Sequence, residues 1–246
     1  MSTPKIVFLL LLMAGFLSCK KNKQEEPAPT PEPVKTGTLN IKVELYDSLG
    51  QRETDASDIK VSLAPLTQNM VTNSEGLATF TELKYGDYFP TLQKYWYEGV
   101  PAKYSLNASS STAVMPFAKY SQYRLMNMGG QVVNKDSVVI SYHLTKPVPA
   151  DKPCKLAVIT NTSSVSPFDF MSVDIVTNNL QDVNKQNIAK LPGVKNFLSS
   201  IKDSAVFYVD VIPVSYGTYY SNLTLKTILL GRNPSTNNNL PLRKNW

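Results

Sequence analysis

The sequence predicts a mainly β protein with two sandwich-like domains, the second carrying a short helical insertion. Three observations predict this class. Aromatic residues make up 10% of the 246 residues, and Tyr and Phe favour strands. Seventeen prolines and 11 glycines mark many turns. From Leu39 onward, short segments alternate apolar and polar residues, which is typical of strands with one buried face.

The first residues are not predicted to belong to the folded part. Lys5 precedes an unbroken apolar run over 6–12, and small residues then lead to Cys19. A basic start and an apolar run of this length form a secretory signal, too short to span a bilayer as a mature helix. An ordinary signal with a chance cysteine is the alternative. A cysteine at this place resembles the lipobox of bacterial lipoproteins.

That resemblance implies that residues 1–18 are removed, that the Cys19 thiol carries diacylglycerol, and that the new amino terminus is acylated. Residues 19–36 would then hold the lipidated cysteine and a Pro/Glu-rich tether, which contains four prolines and little apolar material. Such a segment is extended, reaching on the order of 50 Å at ~3.1 Å per residue. Its basic-then-acidic order resembles the surface-export signal of Bacteroidota lipoproteins, although Asn22 interrupts it. We expect a lipid-anchored, surface-exposed protein of the outer membrane.

The first folded domain is predicted over 37–117. Four segments read as strands because they alternate or run between turn residues. Gly76 closes the turn before the third segment and is expected to adopt a positive φ. The four segments are 39–45, 59–63, 77–80 and 83–88.

The run 59–63, then 72–80, then Leu83 with 86–88, resembles the prealbumin-like sandwich of carboxypeptidase-regulatory and collagen-adhesin B-type domains. Glu75 stands where that pattern usually has Asp. The resemblance covers about residues 38–106. It implies that Phe80, Leu83 and Tyr88 plug one end of the sandwich, while Gly86 permits the sharp turn between them.

The second domain is predicted over 118–246. Residues 107–120 interrupt the strand pattern, so we place the boundary near 116–120. Two strand-like segments follow, then a region near 183–202 that reads as helical in two pieces, and finally a closing pair of strands. The strand segments are 138–144, 155–160, 205–213 and 219–230.

Charge and cysteine usage exclude some classes. The formal net charge is +6, but the basic residues are scattered, so no nucleic-acid surface is predicted. Cys154 would be the only cysteine left beside the lipidated one, so no intramolecular disulfide is expected. We interpret Cys154 as a buried apolar residue.

The search for chemistry predicts no catalytic residue, no metal site and no cofactor. His143 is the only histidine and lies in an apolar strand, where a structural role is the expected one. One histidine and one free cysteine do not supply the usual zinc ligands. A pair of carboxylates for glycoside hydrolysis stays open, although Glu98 is the last glutamate.

Two aromatic clusters could contact a glycan or a protein partner, because exposed Tyr and Trp rings stack with little entropy cost. Neighbouring residues on a strand point to opposite faces, so about half of each cluster should belong to the core. The clusters are Tyr95, Trp96 and Tyr97, and Tyr216, Tyr219 and Tyr220.

Three serines follow aspartate and precede an aliphatic residue. This pattern resembles the O-glycosylation sites of exported Bacteroides proteins, which implies possible modification of Ser48, Ser137 and Ser204 at the surface.

Together, these features predict a non-catalytic interaction or adhesion module held at the membrane by its lipid. Two alternatives stay open. One is a carbohydrate-binding component of a surface uptake system, and the other is an anchor or subunit of a fimbria-like fibre.

Overall fold

The computed structural model of the chain describes residues 33–134, 137–149, 151, 154–163, 170–178, 192–233 and 239–244. The described part is mainly β, with a single short helix within these residues, and so confirms the predicted fold class. The predicted signal, Cys19 and most of the tether lie outside the described residues. Within the described ranges, no helix has both the length and the apolar character to cross a membrane.

The N-terminal sandwich consists of two four-stranded sheets. The first sheet contains β1 (Thr36–Tyr46), β4 (Leu77–Lys84), β6 (Tyr97–Gly99) and β8 (Ser110–Lys119) in the order β4-β1-β8-β6. The second sheet contains β2 (Lys60–Ala64), β3 (Asn69–Val71), β5 (Gly86–Gln93) and β7 (Tyr104–Leu106) in the order β3-β2-β5-β7.

Alternation in β1 builds the centre of this core. Leu39, Ile41, Val43 and Leu45 are buried, while the residues between them are half-buried. The predicted plug residues Phe80, Leu83 and Tyr88 are buried in the same cluster. Three predicted segments lie in β1, β2 and β4, displaced by one residue at most, whereas 83–88 spans the end of β4 and the start of β5.

One of the two glycine expectations is confirmed and the other is wrong. Gly76 has φ 78°, and a Cβ there would lie 2.3 Å from the carbonyl oxygen of Val43, so only glycine fits. Gly86 instead begins β5 with ordinary backbone, and an added Cβ would meet nothing within 4 Å. The left-handed conformation before this turn belongs to Glu82, with φ 58°.

The expectation that residues 107–120 interrupt the strands is also wrong. This stretch forms β8, which pairs in parallel with β1 from Thr38↔Ser110 to Tyr46↔Ala118 and lies inside the sheet. Its serines and its proline are uncommon in strands, and its last residues do not alternate between buried and exposed, so the pattern of a strand is absent from its sequence. Pro116, Phe117 and Ala118 are buried in succession, because Ala118 packs on the C-terminal half of the chain.

The C-terminal sandwich packs a β-hairpin and a helix on a five-stranded sheet. In that sheet β11, β12, β13 and β14 follow the order β12-β11-β13-β14, and β15 pairs with the other end of β13. The bounds are β9 (Leu125–Asn134), β10 (Ser137–Leu144), β11 (Cys154–Asn161), β12 (Ser172–Asn178), α1 (Pro192–Ser200), β13 (Val206–Ser221), β14 (Lys226–Arg232) and β15 (Leu240–Arg243).

Helix α1 covers one end of the C-terminal core with Val194, Phe197 and Leu198. The Asp174 carboxylate accepts hydrogen bonds from the Gly193 and Val194 amides at 2.9 and 3.0 Å. These bonds satisfy free donors of the first helical turn. The other predicted helical piece, over 183–191, lies outside the described residues.

Cys154 has the environment that the sequence predicts. It is buried in the C-terminal core beside Leu156 and Val158, and it is a free thiol. Burial raises the pKa of this thiol to about 12, so the reactive thiolate is scarce at neutral pH.

Candidate ligand-binding cleft at the junction of the sandwiches

The two sandwiches meet at a small apolar cluster. Its buried members are Val100, Ala118, Ile228 and Leu230. Gly231, with φ 73°, allows the sandwiches to approach closely, since a Cβ there would lie 3.1 Å from the Ala118 Cβ and 3.2 Å from the Lys119 carbonyl oxygen across the junction. The contact therefore depends on close backbone packing as well as on apolar side chains.

Hydrogen bonds fix the same junction. The Asn222 amide accepts from the Lys103 N–H at 2.9 Å and donates to the Lys103 carbonyl at 2.8 Å. The Ser221 hydroxyl donates to the carbonyl of Pro101 at 2.7 Å. These bonds hold residues of both sandwiches in one arrangement, so that a site can include side chains from both.

An ion pair crosses the junction where little solvent reaches it. Arg232 Nη2 lies 3.3 Å from Glu98 Oε1, and the two side chains are 19% and 15% exposed. Burial raises the pKa of Glu98, although the Arg232 charge and hydrogen bonds act in the opposite direction. The pair is therefore a partly desolvated contact that needs both partners.

Beside this junction, Lys94–Tyr97 form a tight connection between β5 and β6 that we call the aromatic turn. The Tyr97 amide donates to the Lys94 carbonyl at 3.2 Å, and the Trp96 carbonyl accepts from the Tyr120 amide at 2.9 Å. Trp96 has φ 69°, a conformation that is rare for a bulky residue and that occurs more often at functional sites.

The aromatic turn holds two large rings in solvent. Tyr95 is 80% exposed and Trp96 is 55% exposed. Their ring centroids lie 4.8 Å apart with the planes at 65°, the edge-to-face arrangement that aromatic pairs favour. The two rings thus support each other without being buried.

Tyr97 is the anchor of the turn and not a free ring. It stacks on Phe117 with centroids 5.5 Å apart, and its hydroxyl donates to Glu53 Oε1 at 2.6 Å. The ammonium groups of Lys94 and Lys119 lie 5.9 and 5.7 Å from its ring centroid. Burial, followed by the hydrogen bond to Glu53, raises the pKa of Tyr97. Of the predicted cluster 95–97, the structure therefore leaves Tyr95 and Trp96 available to a ligand.

Trp96 borders a polar cleft of about 560 Å³ at the junction, which we call the junction cleft. This volume is in the range of small-molecule sites. Its lining comes from the β1–β2 loop, from the segment between β8 and β9, and from the end of β14. The charged and polar side chains of this lining include Ser48, Lys119, Gln122, Arg124 and Asn233.

Two other depressions are less suited to recognition. One of about 510 Å³ beside Tyr95 is shallow and open. A larger cavity of about 630 Å³ lies between β12, α1 and β14. Lys226 is its only charged residue among those described, and none of the six predicted aromatic residues reaches it. We therefore place the candidate site at the junction cleft.

The second predicted aromatic cluster is mostly structural. The Tyr216 ring meets Tyr46 edge-on at 4.8 Å, and Tyr219 packs against the apolar cluster of the junction. Tyr220 is 58% exposed. None of these three residues lines the junction cleft.

The three serines of the predicted glycosylation pattern differ in exposure. Ser137 is buried at the start of β10, which disfavours its modification in the folded chain. Ser48 is half-buried and lines the junction cleft, and Ser204 is exposed. Glycosylation of these residues stays a prediction.

The sequence did not single out the polar side of the cleft. Lys119, Gln122 and Arg124 lie at the predicted domain boundary, and Asn233 is more than 100 residues away in the chain. A usable signal is the polar and aromatic run 119–124, because ligand sites often form where domains meet. Within the described ranges, no group of three or more His, Cys, Asp and Glu residues could hold a metal ion.

Comparison with known proteins gives distant structural likenesses. No family model matches the chain, and no curated protein matches it. A DUF3823 family protein from Bacteroides ovatus is 10% identical, with 85% of this chain and 99% of that chain covered and a TM-score of 0.32. A DUF3823 family protein from Parabacteroides merdae is 11% identical, with 74% of this chain and 92% of that chain covered and a TM-score of 0.29.

The major pilin subunit BcpA of Bacillus cereus is also similar, with 10% identity, 85% of this chain and 69% of that chain covered, and a TM-score of 0.31. Likenesses at these scores carry no conclusion about function. The function proposed below therefore rests on the residues of this chain.

Proposed function

We propose that the protein is a non-catalytic binding module that holds a saccharide in the junction cleft, with Trp96 as its stacking surface and Tyr95 packed edge-on against that ring. One observation carries the proposal. The backbone of the aromatic turn is hydrogen-bonded to Tyr120, and Tyr97 anchors the turn, yet the Trp96 ring is 55% exposed and borders the polar junction cleft.

The chemistry of the cleft suits a sugar. The apolar face of a pyranose packs on an aromatic ring, and its hydroxyl groups need donors and acceptors at the edge. Ser48 and Gln122 supply a hydroxyl and an amide beside Trp96, while the buried Asn233 amide donates to the Ser121 carbonyl at 3.0 Å and shapes the wall of the cleft. The turn is already ordered, so binding loses little conformational entropy.

A protein partner is the second candidate, as an adhesion contact or a fibre subunit. It is favoured by β3, a three-residue edge strand with all its side chains exposed, among them Met70 and Val71. An exposed edge can pair with a strand of another chain.

The proposal includes attachment to the outer membrane through Cys19 with the folded part facing the cell exterior. Its support is the signal-like segment before Cys19 and the tether after it. We expect Cys19→Ala to leave the protein without lipid, because the acylated thiol is absent. Mass spectrometry of the membrane fraction measures this, and an unmodified Cys19 in the wild-type mature chain would contradict the anchor.

Saccharide binding is tested on an array of cell-wall and host glycans. We expect Trp96→Ala to weaken binding about tenfold or more, since a central Trp contact is often worth about 2 kcal/mol. The matched control is Tyr220→Ala, which removes another exposed ring outside the cleft. The proposal fails if the wild-type protein binds no glycan, or if both variants bind as the wild type does.

A further inference from the structure

We infer that the junction cleft selects an anionic saccharide, one that carries carboxylate or sulfate groups, and that Arg124 binds the acidic group. This inference rests on the proposed function and adds the charge class of the ligand. It follows from the charges that line the cleft, from the partners of those charges, and from the place of Trp96 beside them.

The lining of the cleft is cationic. Lys119 and Arg124 contribute positive charge, and the described lining includes no Asp or Glu. A third cation lies close by, since the Lys146 ammonium donates to Gln122 Oε1 and lies 5.5 Å from the Tyr123 ring centroid. Two cations thus line the cleft, and a third is bonded to a lining residue.

The charge of Arg124 is not neutralised by its neighbours. Its backbone pairs with Thr145, but its guanidinium makes no ion pair and no hydrogen bond within the described part of the chain. Its side chain is exposed. An arginine in this position offers a planar set of donors that matches a carboxylate or sulfate in a bidentate manner.

Two acidic residues near the cleft, one next to the lining residue Ser48 and one bonded to the aromatic turn, already have partners. Asp47 precedes Ser48, and its carboxylate accepts from the Leu49 and Gln51 amides, both at 2.8 Å. The Glu53 carboxylate accepts from the Tyr97 hydroxyl. Among the described residues, neither carboxylate forms an ion pair with Arg124 or Lys119, so the positive charge of the lining is not cancelled by them.

Different groups of the lining would contact different parts of the ligand. Trp96 takes the apolar face of a sugar ring, and the exposed Gln122 amide, whose Oε1 accepts from Lys146, donates to its hydroxyl groups. Arg124 takes the acidic substituent, while Lys119, held over Tyr97, adds long-range attraction. Because an anion in this cleft meets two cations and an oriented amide, an acidic sugar gains contacts that a neutral sugar lacks.

The test uses the mature chain with Cys19→Ala, titrated by calorimetry with two matched pairs of probes. One pair is polygalacturonate and its methyl ester, and the other is dextran sulfate and dextran. We expect at least one anionic probe to bind at least tenfold more tightly than its neutral partner. Arg124→Gln should abolish that preference, and Arg124→Lys should retain part of it.

A surface cation outside the cleft serves as the control. Lys202 is exposed near the end of α1, and Lys202→Gln should change each affinity less than twofold. If Lys202→Gln and Arg124→Gln weaken the affinity for the anionic probe equally, the inference is overturned, because binding would then depend on the net charge of the protein and not on the cleft. If methyl ester and dextran bind as tightly as their anionic partners, and Trp96→Ala removes that binding, the inference is wrong and the proposed function stands. If no probe and no array glycan binds, both are wrong.

Discussion

Phe80→Ala is expected to lower the free energy of unfolding by about 3–5 kcal/mol, the usual loss for a fully buried phenylalanine. Phe80 is 2% exposed and lies in the cluster that contains Leu39 and Leu83. The substitution leaves a cavity between the two sheets of the N-terminal sandwich. Since domains are typically stable by only ~5–15 kcal/mol, this sandwich should be close to unfolding.

The control for this prediction is Lys42→Ala. Lys42 lies on the outer face of β1, and its ammonium donates to the Glu75 carbonyl at the surface. Its loss should change stability by less than about 0.5 kcal/mol. Urea unfolding of the mature chain with Cys19→Ala measures both variants. Equal effects at the two positions would mean that β1 and β4 do not face the core as described.

Arg232→Met is expected to destabilise the junction by about 3 kcal/mol at neutral pH, because it leaves the partly buried Glu98 carboxylate without its cation. Arg243 provides a matched control, since Arg243→Met removes an exposed arginine on β15. The control should shift the urea midpoint little. Similar shifts in the two variants would show that the Glu98–Arg232 pair does not hold the sandwiches together.

The loss of stability in Arg232→Met should also depend on pH. Burial holds the folded-state pKa of Glu98 above its usual value, and removing Arg232 raises it further. The folded state therefore binds a proton more readily than the unfolded state does. Stability is highest below the unfolded-state pKa of the glutamate and falls as pH rises through the folded-state pKa. Urea midpoints of Arg232→Met should thus approach those of the wild type at acidic pH and diverge toward neutral pH.

The strands of the N-terminal sandwich could be predicted where local pattern and tertiary packing agree. Leu39 to Leu45 alternate because one face of β1 meets the core and the other does not. Strand β8 could not be predicted, because residues 116–118 are buried on both faces at the junction. The local sequence contains no signal that the C-terminal sandwich covers the second face. The role expected of Gly86 was wrong because this glycine already lies in β5, and the positive φ before the turn is adopted by Glu82.

The site could be predicted only in part. Tyr95 and Trp96 were identifiable as a recognition cluster from residue type alone, but the same reasoning selected Tyr216 and Tyr219, which the junction buries partly. Which aromatic residues stay exposed depends on contacts between distant segments. Arg124 and Asn233 were missed because they join Trp96 only when the two sandwiches meet.

The most direct test of saccharide binding at Trp96 is its own fluorescence. The chain has two tryptophans, so Trp246→Phe leaves Trp96 as the only reporter. Saturation with a glycan that calorimetry shows to bind should shift the Trp96 emission to shorter wavelength and reduce its quenching by acrylamide, because the stacked sugar excludes water and quencher. Unchanged emission and unchanged quenching at saturating glycan would contradict binding at this ring.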